Sequence, residues 1–400
     1  MTLAADDDGV RTLIDELESA GGLPADFRSV LTAVPREWFI PDRMWVREAE
    51  DGPYLALDRA AEPDRWLAAV YSNRVIVTQF DDGATAWPVV GDRPTCSASM
   101  PSVVLGMLAE SDVRPGHVVF EVGTGTGWSA ALLAHIVGAR GSVTTVEIDP
   151  VLAADARKRL ETAGFAAVDA RLADGVADVL PDRVDRVIST AGVHVGQLPF
   201  PWVANTRPGG VILAPMRTDL ASGPLVRFVV GEDGTATGRA TALRVGFMEL
   251  RSHRVASDPV GAERFDDPAA DLGFTDLAPW VPLLADDHRW PIAVAVPSCR
   301  VNVWDRTEDR PGVAWLRDPL SGSWASIVPE GNDRYVVRQF GPRRLWDAAE
   351  AAYRWWQQRG EPPLSAWQWT IAPDRQSVTL PSDSALPSDS GRSPRAELSE

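Results

Sequence analysis

Glu121-Val-Gly-Thr-Gly-Thr-Gly127 puts one carboxylate and three glycines within seven residues, directly behind the apolar run Val118-Val-Phe120. A buried strand that breaks into glycines and then enters a helix lets a ligand approach the backbone closely. The segment that follows, Ser129-Ala-Ala-Leu-Leu-Ala-His-Ile136, is made of good helix formers. Gly123, Gly125 and Gly127 alternate with Thr124 and Thr126, whereas a dinucleotide fingerprint would need its third glycine at position 128, which is Trp128. This spacing favours S-adenosylmethionine over NAD as the bound cofactor.

A second carboxylate with a defined task is Glu147 in Val146-Glu-Ile-Asp149. At the end of the second strand of a doubly wound sheet it can accept both ribose hydroxyls of an adenosine. Asp149 competes for that role, but with Pro150 behind it the better reading is the N-cap of the next helix. Asp174, before Gly175, is a candidate acceptor for the adenine amino group, with a turn role as the alternative. His194 follows the strand near Thr190 and is a candidate lining of the acceptor site, although a surface loop histidine is the commoner outcome. His117, His135, His253 and His288 show no ligand spacing, and Cys96 and Cys299 are too few for a disulfide framework or a cysteine zinc site. No metal is expected.

The elements that must position these groups alternate between residues 117 and 216. Strands are expected at Val118–Val122, Ser142–Ile148, near Ala170, at Val184–Ser189 and at Val211–Pro215, with helices over 128–137 and 151–163. Such alternation implies a parallel α/β sheet, doubly wound and Rossmann-like. Ahead of it, Val10 to Val34 carries amphipathic helical spacing broken at Gly21-Gly-Leu-Pro24, a helical N-terminal cap, and Val75–Phe80 is strand-like. Leu225–Val230 and Thr241–Met248 form a hairpin that should complete the sheet. The expected organisation is a first domain over 1–252, a smaller α+β domain over 253–381 that opens on an acidic, turn-rich segment, and a Pro/Ser-rich disordered tail over 382–400. The smaller domain should hold an antiparallel meander (313–316, 324–328, 334–340), a helix from Pro342 to Gly360, and a closing hairpin at 367–371 and 377–380.

Composition narrows the partners. A net charge of -17 with no basic run argues against nucleic acid. The N-terminus lacks a signal-peptide pattern and no apolar run is long enough for a bilayer, so a cytoplasmic protein without a membrane partner is expected.

Four further stretches carry a family resemblance. Val34-Pro-Arg-Glu-Trp-Phe-Ile-Pro41, Ser99-Met-Pro101 with Met107-Leu108, Glu121 to Gly127, and Val184–Ala191 with Arg207-Pro-Gly-Gly-Val-Ile-Leu-Ala-Pro215 together resemble the protein L-isoaspartyl O-methyltransferases, which are class I S-adenosylmethionine-dependent enzymes. The resemblance covers about residues 10 to 251. It implies that Ser99 is the active-site serine, with Ser97 and Met100 beside it at the acceptor, that Glu121, Gly123, Thr124, Gly125, Gly127, Glu147 and Asp174 hold the cofactor, and that the acceptor is a carboxylate. Ser97 competes for the serine role, but Ser99 keeps Pro101, Met107 and Glu121 in the family pattern without a gap. An N-cap for the helix starting at Pro101 is the structural alternative for Ser99.

Enzymes that repair isoaspartate are expected to end near Arg251, and this chain runs on for about 150 residues. That region holds ten of the sixteen tryptophans; most are expected to fill the core of a small domain, with two or three left exposed to hold a dedicated peptide or protein substrate. Gln339-Phe-Gly-Pro-Arg-Arg-Leu-Trp346, continuing to Trp356, resembles the methyltransferases that accompany ATP-grasp ligases in ribosomal peptide (graspetide) biosynthesis. The resemblance implies methylation of an aspartate in a crosslinked precursor peptide and closure to an aspartimide. Isoaspartyl-protein repair and a non-catalytic scaffold in a maturation complex are the alternatives.

Overall fold

The computed structural model describes residues 5–380 except 25, 50, 178–179, 256–266, 305–311 and 332, so the expected tail at 382–400 lies outside the described residues. The chain forms two compact units, the first of residues 1–191, 199–214 and 227–234, the second of 192–198, 215–226 and 235–400. The expected cut at 252 is therefore not where the units divide. Two of the crossings between units fall inside single strands, at 214/215 and 226/227, which no change in composition announces.

The first unit starts with α1 (Asp7–Ser19) and α2 (Phe27–Ala33), broken where the glycines and Pro24 predicted. Val10, Leu13, Ile14 and Leu17 form the buried stripe of α1. The cap is not purely helical, however. β1 (Arg43–Arg47), β2 (Tyr54–Asp58), β3 (Ile76–Phe80) and β4 (Pro94–Ala98) form an antiparallel sheet in the order β2-β1-β3-β4, with α3 (Pro63–Val70) between β2 and β3. Sequence spacing showed only β3, although β1 and β2 form a hairpin across residues 48–53; β3 and β4 pair across the longer connection 81–93.

The parallel sheet consists of β5 (Val118–Val122), β6 (Ser142–Glu147), β7 (Asp169–Leu172), β8 (Val184–Ser189) and, after the short α7 (Phe200–Ala204), the first part of β10 (Thr206–Arg217). Its order is β10-β8-β5-β6-β7, which reverses direction between β5 and β8, and α4 (Pro101–Ser111), α5 (Trp128–Val137) and α6 (Pro150–Thr162) supply the helices. Ligands bind at such a reversal, beyond the carboxyl ends of the strands. β5 reads Val-Val-Phe-Glu-Val and is almost wholly buried, as a strand covered on both faces must be.

The second unit contains β9 (Val193–His194), which pairs with the end of β10, and the start of β11 (Ser222–Val230). β12 (Ala236–Arg244) starts five residues before the expected Thr241. It does not end its sheet. The hairpin of β18 (Gln368–Ile371) and β19 (Gln376–Thr379) was expected to close the C-terminal domain, but it adds to the edge of β12, with Ala236 opposite Ile371 and Arg239 opposite Gln368. Backbone pairing fixed that partner, and strand patterning alone does not encode it.

The five-stranded sheet in this unit, β13 (Asp271–Thr275), β14 (Arg300–Trp304), β15 (Val313–Asp318), β16 (Ser323–Pro329) and β17 (Tyr335–Phe340), contains the expected meander in the order β13-β17-β16-β15-β14. The segment expected to be turn-rich also holds α8 (Trp280–Leu284) and α9 (Asp286–Ala295). α10 (Leu345–Gln358) buries Leu345, Trp346, Ala349, Ala352, Tyr353 and Trp356 and packs on α9 and on the meander. Of the ten tryptophans in this region, only the half-buried Trp280 and the exposed Trp304 escape burial.

Candidate functional site

β5 ends at Val122, and the turn that follows needs glycine for two different reasons. Gly123 has φ +94°, and a Cβ there would overlap the Thr190 hydroxyl from the loop after β8. Gly125 has φ +54°, and a Cβ would sit 3.8 Å from both Cys96 Sγ and the Ser97 carbonyl of β4. The cofactor loop thus lies directly against the strand that leads to Ser99. Thr190 ties down the reversal point of the sheet, its N–H donating to Val122 O (2.9 Å) and its hydroxyl to Gly123 O (2.6 Å).

Glu121 is completely buried. Thr145 on β6 donates its hydroxyl to Glu121 Oε2 at 2.6 Å and is itself bonded to Thr124 (2.8 Å), while Glu121 Oε1 has no hydrogen-bond partner. Burial pushes the Glu121 carboxyl up to about 7, while hydrogen bonding from Ser129, at the start of α5, and from Thr145 pulls in the opposite direction. A buried carboxylate with so few donors is costly, and an apposed ligand cation would offset that cost.

At the end of β6 the N-cap expected of Asp149 is present. Asp149 caps α6, accepting from Val151 N (2.9 Å) and Leu152 N (3.1 Å). Glu147 faces the glycine turn and accepts from Gly125 N (3.0 Å) and Asp149 N (3.1 Å), which leaves each oxygen a lone pair for a diol. Asp174 takes the turn role, with Oδ1 accepting from Val176 N at 3.1 Å. Sequence reasoning missed Thr145 and Gln79; Gln79 Nε2 donates to Asp149 Oδ2 (2.9 Å) and its carbonyl accepts from Thr95 (2.9 Å). Their polar side chains at buried positions of otherwise core-facing strands were the available signal.

Ser99 is not the N-cap of α4. Met100 holds that position without a side-chain bond, and the helix start is satisfied instead by Asn73 Oδ1 accepting from Ser102 N at 2.9 Å. Among the described residues the Ser99 hydroxyl bonds to nothing, so it is available to a ligand.

His194 corrects the surface-loop expectation. It belongs to the second unit, is 5% exposed, and its Nε2 lies 3.2 Å from Glu249 Oε2. The bond to His194 holds the Glu249 carboxyl below its ordinary range, helped by Arg217 and Arg254. Ligand atoms of His194, Asp219 and Glu249 gather within 4.8 Å, but Arg217 and Arg254 stand 4.0 and 3.7 Å from Glu249, and Arg300 3.4 Å from Asp219. Guanidinium groups already neutralise both carboxylates, so we read an ion-pair network. Cysteine chemistry has no support either, since burial pushes the Cys299 thiol up to about 12.

Strand order, glycine turn, buried Glu121 and strand-end Glu147 define a class I S-adenosylmethionine-dependent methyltransferase. Residues 71–254 match the family model described as Protein-L-isoaspartate(D-aspartate) O-methyltransferase (PCMT). A Protein-L-isoaspartate O-methyltransferase 2 of Rhodopseudomonas palustris is 36% identical over 190 residues, 45% of this chain and 83% of the relative. A Protein-L-isoaspartate O-methyltransferase of Pyrococcus horikoshii is 38% identical over 138 residues, which span 34% of this chain and 61% of the relative. The chain belongs to the protein-L-isoaspartate O-methyltransferase family, whose members are carboxyl O-methyltransferases, and its cofactor is S-adenosylmethionine. A solved structure named protein-L-isoaspartate O-methyltransferase shares the fold at a TM-score of 0.51 and 18% identity, covering 93% of this chain and 99% of its own.

Proposed function

We propose that this protein methylates an aspartyl side-chain carboxylate in a ribosomally made, crosslinked precursor peptide, and that the ester then closes to a succinimide. The observation that carries the transfer is the uncommitted Ser99 hydroxyl on the strand end that abuts the Gly125 turn. When bound, S-adenosylmethionine supplies an electrophilic methyl on a sulfonium. Glu147 is the proposed ribose ligand and Glu121 the partner of the cofactor's cationic end; Asp174 is assigned to adenine, with only its loop position in support.

The protein's own contribution is placement. A carboxylate at neutral pH is already nucleophilic, so Ser99 donates a hydrogen bond that orients it and no general base is required. Ser97 and Met100 flank that position. The acceptor oxygen gains the methyl as the carbon–sulfur bond breaks. The ester is more electrophilic than the acid, and a neighbouring backbone amide nitrogen attacks it, expels methanol and closes the ring.

A dedicated peptide substrate is supported by a cavity of about 230 Å³ in the second unit, walled by Trp290, Trp356 and Trp367 with Arg244, His288 and Glu361 around it. A dry apolar cavity of ~150 Å³ accepts benzene, so this one has room for a single apolar side chain and is too small for a drug-sized metabolite. The names of the relatives favour a second reading, methylation of isoaspartyl residues in damaged proteins. Mass spectrometry after incubating the protein and cofactor separately with an isoaspartyl peptide and with the crosslinked precursor decides between them: esterification of the isoaspartyl peptide alone refutes the biosynthetic reading. Failure of both, without cofactor binding, leaves the scaffold role.

A further inference from the structure

Arg36 is 1% exposed in the short 3-10 turn Arg36–Trp38, and among the described residues no carboxylate lies within ion-pair distance of it. Burying a guanidinium without a counter-ion is costly, and the cost is visible as a side chain held down to about 9 by burial. Carbonyl groups take the place of the counter-ion. Nη1 donates to Val70 O (3.0 Å) and Ser72 O (3.2 Å), and Nη2 to Arg74 O (3.0 Å), Ala98 O (3.2 Å) and Ser99 O (2.8 Å). The shortest of these bonds is to Ser99 itself.

Two more contacts extend the clamp. The guanidinium lies 5.4 Å from the ring centre of Trp128, the first residue of α5 after the glycine turn, and Trp128 Nε1 donates to Val34 O at 3.0 Å. The same 72–74 loop that receives Arg36 sends Asn73 to cap α4 beyond Ser99. The Ser99-Met-Pro101 turn is therefore fixed at both ends, and one of its two anchors also rests on the helix that opens the cofactor turn.

We propose that Arg36 is a positioning residue for methyl transfer, setting the Ser99 hydroxyl relative to the cofactor turn while touching neither acceptor nor cofactor. The inference rests on the reading of Ser99 as the acceptor's hydrogen-bond donor. A lysine keeps the charge but lacks the planar fork that spans carbonyls from two segments, 70–74 and 98–99. Arg36→Lys in the full chain should lower kcat about 10- to 100-fold, the cost of small misplacement, and leave cofactor affinity within about twofold.

The discriminating measurement is a double-mutant cycle. If Arg36 acts through Ser99, the variant R36K/S99A has the kcat of S99A alone. Additive losses, or a loss of cofactor binding that matches the loss of kcat, would overturn the proposal. A normal kcat in S99A would instead sink the Ser99 reading, a separate failure. Should R36K not fold, N73A removes the other anchor and must show the same kcat-only loss. Hydrogen exchange gives a readout without any acceptor: protection at residues 99–104 should fall in either variant while residues 123–131 stay protected, and unchanged exchange at 99–104 refutes the clamp.

Discussion

Glu121→Gln separates what this carboxylate costs the fold from what it gives the ligand. Burial raises the carboxyl from its ordinary 4.5 to about 7, which amounts to roughly 3 kcal/mol against ionisation. The folded state holds the extra proton between those values, so wild-type stability declines as pH rises from about 4.5 to 7. Glutamine cannot ionise, so E121Q should melt higher than wild type at pH 8 and match it near pH 5. Cofactor binding should move the other way. Losing a charge-assisted bond worth roughly 1.5–3 kcal/mol weakens binding about 10- to 100-fold at pH 8. If only the ionised form pairs with the cofactor, wild-type affinity drops about fivefold from pH 7 to pH 6 and the drop is absent in E121Q, while titration of the ligand itself is common to both proteins. Calorimetric titration at pH 6, 7 and 8 with thermal melts tests both halves. Equal affinities of the two proteins across that range, or a less stable E121Q at pH 8, would refute the reasoning.

Three further outcomes follow from the same geometry. Asp149→Ala removes a helix cap and should cost about 1 kcal/mol of stability, seen in denaturant titration, with cofactor affinity nearly unchanged; Glu147→Ala should do the reverse, and equal effects would undo the division of roles. Gly123→Ala places a Cβ on the Thr190 hydroxyl at a positive φ, so it should cost on the order of 1–3 kcal/mol and abolish cofactor binding, and unaltered binding would show that the turn tolerates a side chain. Leu364→Trp fills the tryptophan-walled cavity and should raise KM for the precursor peptide while leaving kcat for a short isoaspartyl peptide unchanged; an unchanged KM removes the cavity from substrate binding.

Much of the first unit was legible because its signals are local. Gly123, Gly125 and Gly127 mark a turn through backbone freedom alone, and the apolar run around Val119 marks a strand covered on both faces. Glu147 and Asp149 could be told apart because Pro150 and a helix start are a capping signal readable within four residues.

The residues themselves thus determined the parallel sheet, the cofactor turn and the identity of the donor, since chain neighbours encode strands, turns and caps. Tertiary structure decided the rest: that Met100 and not Ser99 stands at the helix cap, that His194 is buried against Glu249, that the last hairpin joins β12, and that Arg36 reaches Ser99 across 63 positions. The last three are pairings between distant segments, and even the cap of α4 depends on Asn73, brought from another segment to bond Ser102 N. A sequence states each group's need for a partner, and only the closed chain supplies the distance.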